Sequence, residues 1–197
     1  MSKYVEAKGV GYMEHRAKVV EQACILSNQA LSADVCRMVV ESPQVASCSM
    51  PGQFVMVRSS NTMDPLLRRP LSIAGADPRQ GTLTLIYRIV GRGTQLMQSL
   101  SVGTTLDVMG PLGRGFDLSV RNLLLVGGGI GLAPLLFAAE RCCPHPVDVL
   151  AGGRTKDELF WTELFRHSCQ NVHVTTDDGS LGICGTCADA LPELLAN

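Results

Sequence analysis

The feature that most constrains this chain is a change of rhythm near residues 116–121. Before it, short runs of Val, Ile, Leu and Thr are cut by Pro-Gly, Asp-Pro and glycine-bearing turns. Runs at 16–26, 34–40, 53–59, 71–74, 82–90 and 104–109 read as strands, and TLTLIYRIV alternates like a half-buried one. Six such strands in about a hundred residues predict an antiparallel Greek-key barrel.

From Arg121 the pattern alternates between two kinds of segment. NLLLVGG, VDVLAGG and NVHVTTDD are continuous apolar strands. PLLFAAERCC, KDELFWTELFRH and ADALPELL follow them with helical spacing. Strand and helix alternating three times predict a parallel sheet with crossover helices, a partial Rossmann-like unit. The expected fold is therefore β followed by α/β, with domains at 1–118 and 119–197 and residues 1–12 as a flexible extension.

Composition excludes several classes. With 46% hydrophobic and 18% charged residues the 197-residue chain reads as globular. A net charge of −1 gives no cationic surface for nucleic acid. Glycines and a proline interrupt the longest apolar stretch, 123–139, so no membrane span is expected. The N-terminus lacks a signal-peptide core, which reads as cytoplasmic. The eight cysteines are scattered, and in a reducing compartment most are expected to be small buried hydrophobes.

Two loops carry chemistry. Gly129-Ile130-Gly131-Leu-Ala-Pro134, preceded by Gly128, fits G-x-G-x-x-P between a strand and a helix. Glycines there let backbone approach a pyrophosphate, the helix N-terminus supplies free N–H groups, and proline suits the first turn. The acid expected on a ribose at the end of the second strand is replaced by Gly152-Gly153-Arg154. Arg154 either approaches an adenosine phosphate or caps the turn, leaving NAD and NADP both open.

The other loop is DPLLRRPLSIAG, in which Arg69-Pro70-Leu71-Ser72 makes R-x-x-S. A guanidinium can pair with a diphosphate and a serine hydroxyl can bond a flavin or its ribityl chain. The competing reading is a basic edge that discourages strand pairing. Ile86-Tyr87-Arg88 and the glycine turn before Gly93-Thr94 follow within 26 residues and favour the cofactor reading. Tyr87 fits equally as a core aromatic, and Arg88 as a solvated cation.

PGQFVMV (51–57), LLRRPLSI (66–73), IYRIVGRGT (86–94), GPLGRGF (110–116), VGGGIGLAP (126–134) and DDGSLG (177–182) occur in an order that resembles the ferredoxin–NADP reductase superfamily. The likeness runs from about Met13 onward and is nearest to the electron-transfer subunit of class 1B dihydroorotate dehydrogenase. It implies FAD on the barrel, with Arg69, Pro70, Leu71, Ser72, Ile86, Tyr87, Arg88, Gly93 and Thr94 at flavin-contacting positions. It implies NAD on the second domain, at Gly128, Gly129, Ile130, Gly131 and Pro134. The implied role passes electrons between NAD and the FMN-bearing dihydroorotate dehydrogenase catalytic subunit in a hetero-oligomer. A non-catalytic flavin-binding assembly module, or the FAD subunit of a related hydrogenase, sulfite reductase or transhydrogenase, are the alternatives. Catalytic acids, bases and protein-bound metals are not expected.

The sequence departs from that family at its end. The resemblance implies further strands and four cysteines holding a [2Fe–2S] cluster, whose spacing is not found here. Cys184-Gly-Thr-Cys187 has only the x₂ gap, falls after the third strand, and does not replace those ligands. The expectation is a C-terminally shortened chain, impaired on the nicotinamide side, with NLLLVGG left at an open sheet edge.

Overall fold

The computed structural model describes residues 18–60, 64–119 and 122–196. The expectation for residues 1–12 lies outside them.

Strands β1 (Val19–Ala30), β2 (Val35–Glu41), β3 (Phe54–Arg58), β4 (Arg69–Asp77), β5 (Thr82–Arg88) and β6 (Thr105–Leu112) close into a barrel in the order β1-β2-β5-β4-β3-β6. Every pairing is antiparallel. Closure leaves no free edge. Alternation along β5 sends Leu83, Leu85 and Tyr87 into the barrel core and Ile86 into a second apolar cluster. β4 starts earlier than its apolar run because Arg69 and Pro70 pair with Val57 and Met56.

A short helix, α1 (Pro43–Cys48), begins on Pro43 directly after Ser42. Its cap comes from far away. The Glu21 carboxylate on β1 accepts from the Ser42 hydroxyl at 2.6 Å and from the Gln44 and Val45 N–H groups, each at 3.3 Å. Helix α2 (Arg92–Ser99) follows β5.

The second half is a parallel sheet of β7 (Leu123–Gly128), β8 (Val147–Gly153), β9 (Asn171–Thr176) and β10 (Ile183–Cys184), ordered β10-β9-β8-β7. Among the described residues β7 forms one edge. Helices α3 (Ala133–Cys142), α4 (Trp161–Phe165) and α5 (Cys187–Ala196) accompany it. KDELFWTELFRH is not one helix. A 3₁₀ turn, Lys156–Glu158, precedes α4. Lys156 N–H donates to Ser180 Oγ at 2.9 Å and Glu158 binds back to Arg154, which holds the first turn apart, while Leu159, Trp161 and Phe165 are buried.

Helix α3 joins the halves by lying along β4. Phe137 belongs to the barrel's cluster, whereas Val35, Ala74 and Ile86 of the barrel belong to the cluster around α3. No helix among the described residues is long and apolar enough to cross a membrane.

The cysteines differ from expectation, since only Cys36 is fully buried while Cys143 and Cys184 are exposed and all eight are free thiols. They sit largely at element ends, where packing is incomplete. Burial, with Asp148 and Cys142 adding, pushes the Cys169 thiol up to about 11. Its stabilising contribution is therefore full below pH 9 and is lost as pH rises towards 11. Iodoacetamide at about pH 8 should label Cys143 and Cys184 more than about tenfold faster than Cys36 and Cys169, as read by peptide mass spectrometry.

Candidate functional site

The two adjacent arginines at the start of β4 part company. Arg68 Nη1 donates to the Asp107 carbonyl at 3.2 Å and to its carboxylate. Arg69 turns the other way, donates to the Leu67 carbonyl, and lays its guanidinium over Gly93. A Cβ on Gly93 would stand 2.1 Å from Arg69 Nε, so only glycine leaves room. Residues 69–72 of β4 pair with β3 and residues 73–77 with β5, so Arg69 and Pro70 stand where the strand carries a ladder on one side only.

The turn that presents Gly93 is held from both ends. Thr94 Oγ1 accepts from the N–H groups of Val90 at 3.0 Å and Gly91 at 3.2 Å, and donates to the Gly91 carbonyl at 2.9 Å. The Thr94 hydroxyl is thus used within the loop, while the first-turn N–H groups of α2 have no intrahelical acceptor. At the other end, Asn28 Nδ2 lies 2.9 Å from the Met97 carbonyl, 3.1 Å from that of Gln98 and 3.1 Å from that of Leu100. Asn28 Oδ1 accepts from the Tyr87 hydroxyl at 3.2 Å. Replacing Asn28 with alanine should cost about 2 kcal/mol by chemical denaturation and loosen α2, since it removes a donor to three carbonyls and the acceptor of a buried phenol.

Tyr87 is 1% exposed and its ring belongs to the barrel core, where burial raises its ionisation well above the ordinary range. Tyr87 thus packs in the core and also lines the cleft described below. Arg88 is not simply solvated. Its Nε lies 3.2 Å from Asp34 Oδ2, outside hydrogen-bond alignment, and its Nη2 lies 3.9 Å from Glu158 Oε1. One guanidinium thus links the β1–β2 turn to the α/β half.

On the facing side, the 3₁₀ turn Gly129–Leu132 leads from β7 into α3, with Pro134 in the first turn of that helix. Gly129 has φ +54°, which favours glycine. A Cβ at Gly91, Gly129 or Gly131 would meet nothing within 4 Å, so backbone lies open to an approaching group at all three.

These pieces enclose a cleft of about 510 Å³. Arg69, Pro70, Leu71 and Ser72 supply one wall, Ile86, Tyr87 and Arg88 the next, and Gly93 with Thr94 a third. Ile130 and Gly131 come from the glycine turn, whereas Gly128, Gly129 and Pro134 are outside the lining. Sequence reasoning missed Val90, Gly91, Arg92 and Ala133 as lining residues. Gly91 was visible as the first glycine of GRGT, but nothing local marks the other three.

The cysteine pair is divided in its surroundings. Cys184 is exposed on β10, whereas the Cys187 thiol reaches the Gly127 carbonyl at 3.5 Å and packs where a Cβ on Gly152 would come within 2.6 Å. Among the described residues, no three His, Cys, Asp or Glu side chains gather as a metal site.

A model of the oxidoreductase FAD-binding domain matches residues 22–116, the stretch that contains the barrel strands β2–β6 and the Arg69–Thr94 walls. The electron transfer subunit of dihydroorotate dehydrogenase B (NAD(+)) from Fusobacterium nucleatum is 37% identical over 183 residues, 90% of this chain and 70% of that protein. The chain belongs to this family of electron transfer subunits. The Bacillus caldolyticus member is 39% identical over 177 residues, 87% of this chain and 68% of its own length. Among solved structures, an NADH-dependent reduced ferredoxin–NADP oxidoreductase superposes with a TM-score of 0.78 at 32% identity, covering 89% of this chain and 63% of that one. A ferredoxin NADP+ reductase from Neisseria gonorrhoeae, at 19% identity, shares the fold with a TM-score of 0.71, over 90% of this chain and 76% of its own. The family's electron-transfer role accords with a cleft placed where the barrel meets the parallel sheet.

Proposed function

We propose that the cleft holds FAD and that this chain passes electrons between NAD and the FMN-bearing catalytic subunit of a dihydroorotate dehydrogenase, in a hetero-oligomer serving pyrimidine biosynthesis. The observation that carries this reading is the convergence of Arg69, the first turn of α2 and the Gly131 turn on one cleft. The residues fit a flavin dinucleotide. Arg69 and the free N–H groups of α2 offer a diphosphate site, and Pro70, Leu71 and Ile86 offer an apolar wall for a ring. Ser72 offers a hydroxyl to the polar edge of that ring.

FAD bound there would accept a hydride and release electrons singly. The chain's own part is to position and to shield. The open backbone at Gly129 and Gly131, with α3 behind it, suits the pyrophosphate of NAD and brings its far end beside the same cleft. Hydride transfer needs no protein acid or base, only close and aligned reactants. On this reading the barrel, 1–118, is the FAD unit and 119–197 the NAD unit.

The test is to reconstitute the purified chain with FAD and record its visible spectrum before and after anaerobic NADH. Bleaching of the flavin bands is expected. Failure to retain FAD would overturn the cleft assignment. Bands bleached by dithionite but not by NADH would leave a flavin-binding assembly module. Co-elution with a purified dihydroorotate dehydrogenase catalytic subunit then separates the proposed partner from related complexes.

A further inference from the structure

In a parallel sheet of this kind a dinucleotide lies across the carboxyl ends of the strands. Its pyrophosphate sits at the first βα turn, and its adenosine ribose at the end of the next strand. Here the first turn is Gly129–Leu132 and the next strand is β8, whose last residue, Gly153, leads into Arg154. An arginine at that place is what a ribose 2′-phosphate requires. A free ribose hydroxyl requires an acceptor instead.

Arg154 is already engaged by a neighbouring carboxylate. Its Nε donates to Glu158 Oε1 at 2.8 Å, its Nη2 donates to the same oxygen, and its own N–H donates to Glu158 Oε2 at 3.1 Å. The Glu158 side chain is 19% exposed, against 72% for Arg154. Arg154 and Arg88 hold the Glu158 carboxyl below its usual range, so it stays charged. Asp34 and Asp177 also act on the Arg154 charge. The Asp177 and Asp178 N–H groups bond the Gly153 carbonyl at 3.1 Å and the Arg154 carbonyl at 3.2 Å, which fixes both aspartates beside the end of β8. Lys156 and Asp157, both exposed, offset each other. Three carboxylates therefore face Arg154 and Arg88.

We propose that Glu158, backed by Asp177, is the residue pair that decides which dinucleotide this site accepts. By holding Arg154 it admits a ribose with a free 2′-hydroxyl and excludes one carrying a 2′-phosphate. The proposal rests on the reading that this α/β half receives a dinucleotide. A 2′-phosphate would have to draw Arg154 away from a partly buried carboxylate and would then face Asp177 and Asp34. Unpairing such a charge and juxtaposing like charges both oppose binding.

Titration calorimetry of the full chain with NAD+ and with NADP+ tests this without relying on turnover. NAD+ should bind at least about tenfold more tightly. Glu158→Gln should shift the ratio of NADP+ to NAD+ affinity at least about tenfold towards NADP+, and adding Arg154→Ala should remove that shift. Asp177→Asn, at an exposed turn, should act in the same direction by a smaller factor and guards against a folding defect in the first variant. Wild-type chain that binds NADP+ as well as NAD+ would overturn the proposal, as would variants that keep NAD+ but leave the ratio unchanged. If neither dinucleotide binds the wild-type chain, the nucleotide reading itself fails and this inference falls with it.

Discussion

Replacing Gly93 with alanine should strip the chain of flavin while leaving it folded. Gly93 lies in the first turn of α2, and its φ is not in the left-handed region, so alanine meets no backbone strain. Within a helix alanine is even favoured over glycine, by about 1 kcal/mol. The obstacle is elsewhere. The new Cβ would stand 2.1 Å from Arg69 Nε, 2.5 Å from Cζ and 2.7 Å from Nη2. All three belong to a flexible side chain, so the arginine swings out rather than the barrel giving way. What is lost is the guanidinium proposed to meet the diphosphate, with charge-assisted hydrogen bonds of about 1.5–3 kcal/mol. FAD affinity should fall by about 10- to 100-fold while the melting temperature holds or rises. Arg69→Met should weaken FAD by a similar factor, and the two changes together by little more than either alone. A Gly93→Ala chain that keeps FAD within about threefold of wild type would show that Arg69 is not what this glycine makes room for.

The sequence carried the signals that are local and periodic. The last residues of β8 and the helix behind the glycine turn are set by runs of apolar residues and by Pro134, all within one turn or strand of where they act. Arg69 was read as a cofactor residue only because R-x-x-S, Tyr87-Arg88 and the glycine turn at 91–94 fall within 26 residues, since its own segment fits a basic edge as well. Its separation from Arg68 was not, since that depends on Asp107 and Gly93 arriving from β6 and α2. The same holds for α1, capped by Glu21 from another strand, and for the break before α4, fixed by Ser180. Val90 and Ala133 reach the cleft only because the barrel and the parallel sheet are docked as they are. The Tyr87 ring went inward because strand alternation places it with Leu83 and Leu85, a pattern that TLTLIYRIV already contained.

Phe137 is one of the side chains that carry this docking, and Phe137→Ala should expose its share. Phe137 is 1% exposed and, although carried by α3, packs with the barrel's core. Its neighbours Ala138 and Ala139 are fully buried in the other cluster, so the helix is clamped between two cores. The Arg141 guanidinium lies 5.3 Å over the Phe137 ring and covers its outer side. Cutting such a ring to a methyl group costs about 3–5 kcal/mol, because the cavity sits where two rigid layers meet and neither can collapse into it. For a chain of this size the midpoint should fall by about 10 °C. Phe137→Leu, which keeps most of the volume, should recover much of that loss. Function separates this residue from an ordinary core position. Most of the proposed FAD walls are carried by the barrel and α2 rather than by α3, so flavin affinity should change little. The glycine turn and the cleft are held in register through α3, so flavin reduction by NADH should slow more than binding weakens. Equal losses in FAD affinity and in reduction rate would instead mean that Phe137 supports the barrel alone and that the two halves are aligned by the Arg88–Glu158 contact.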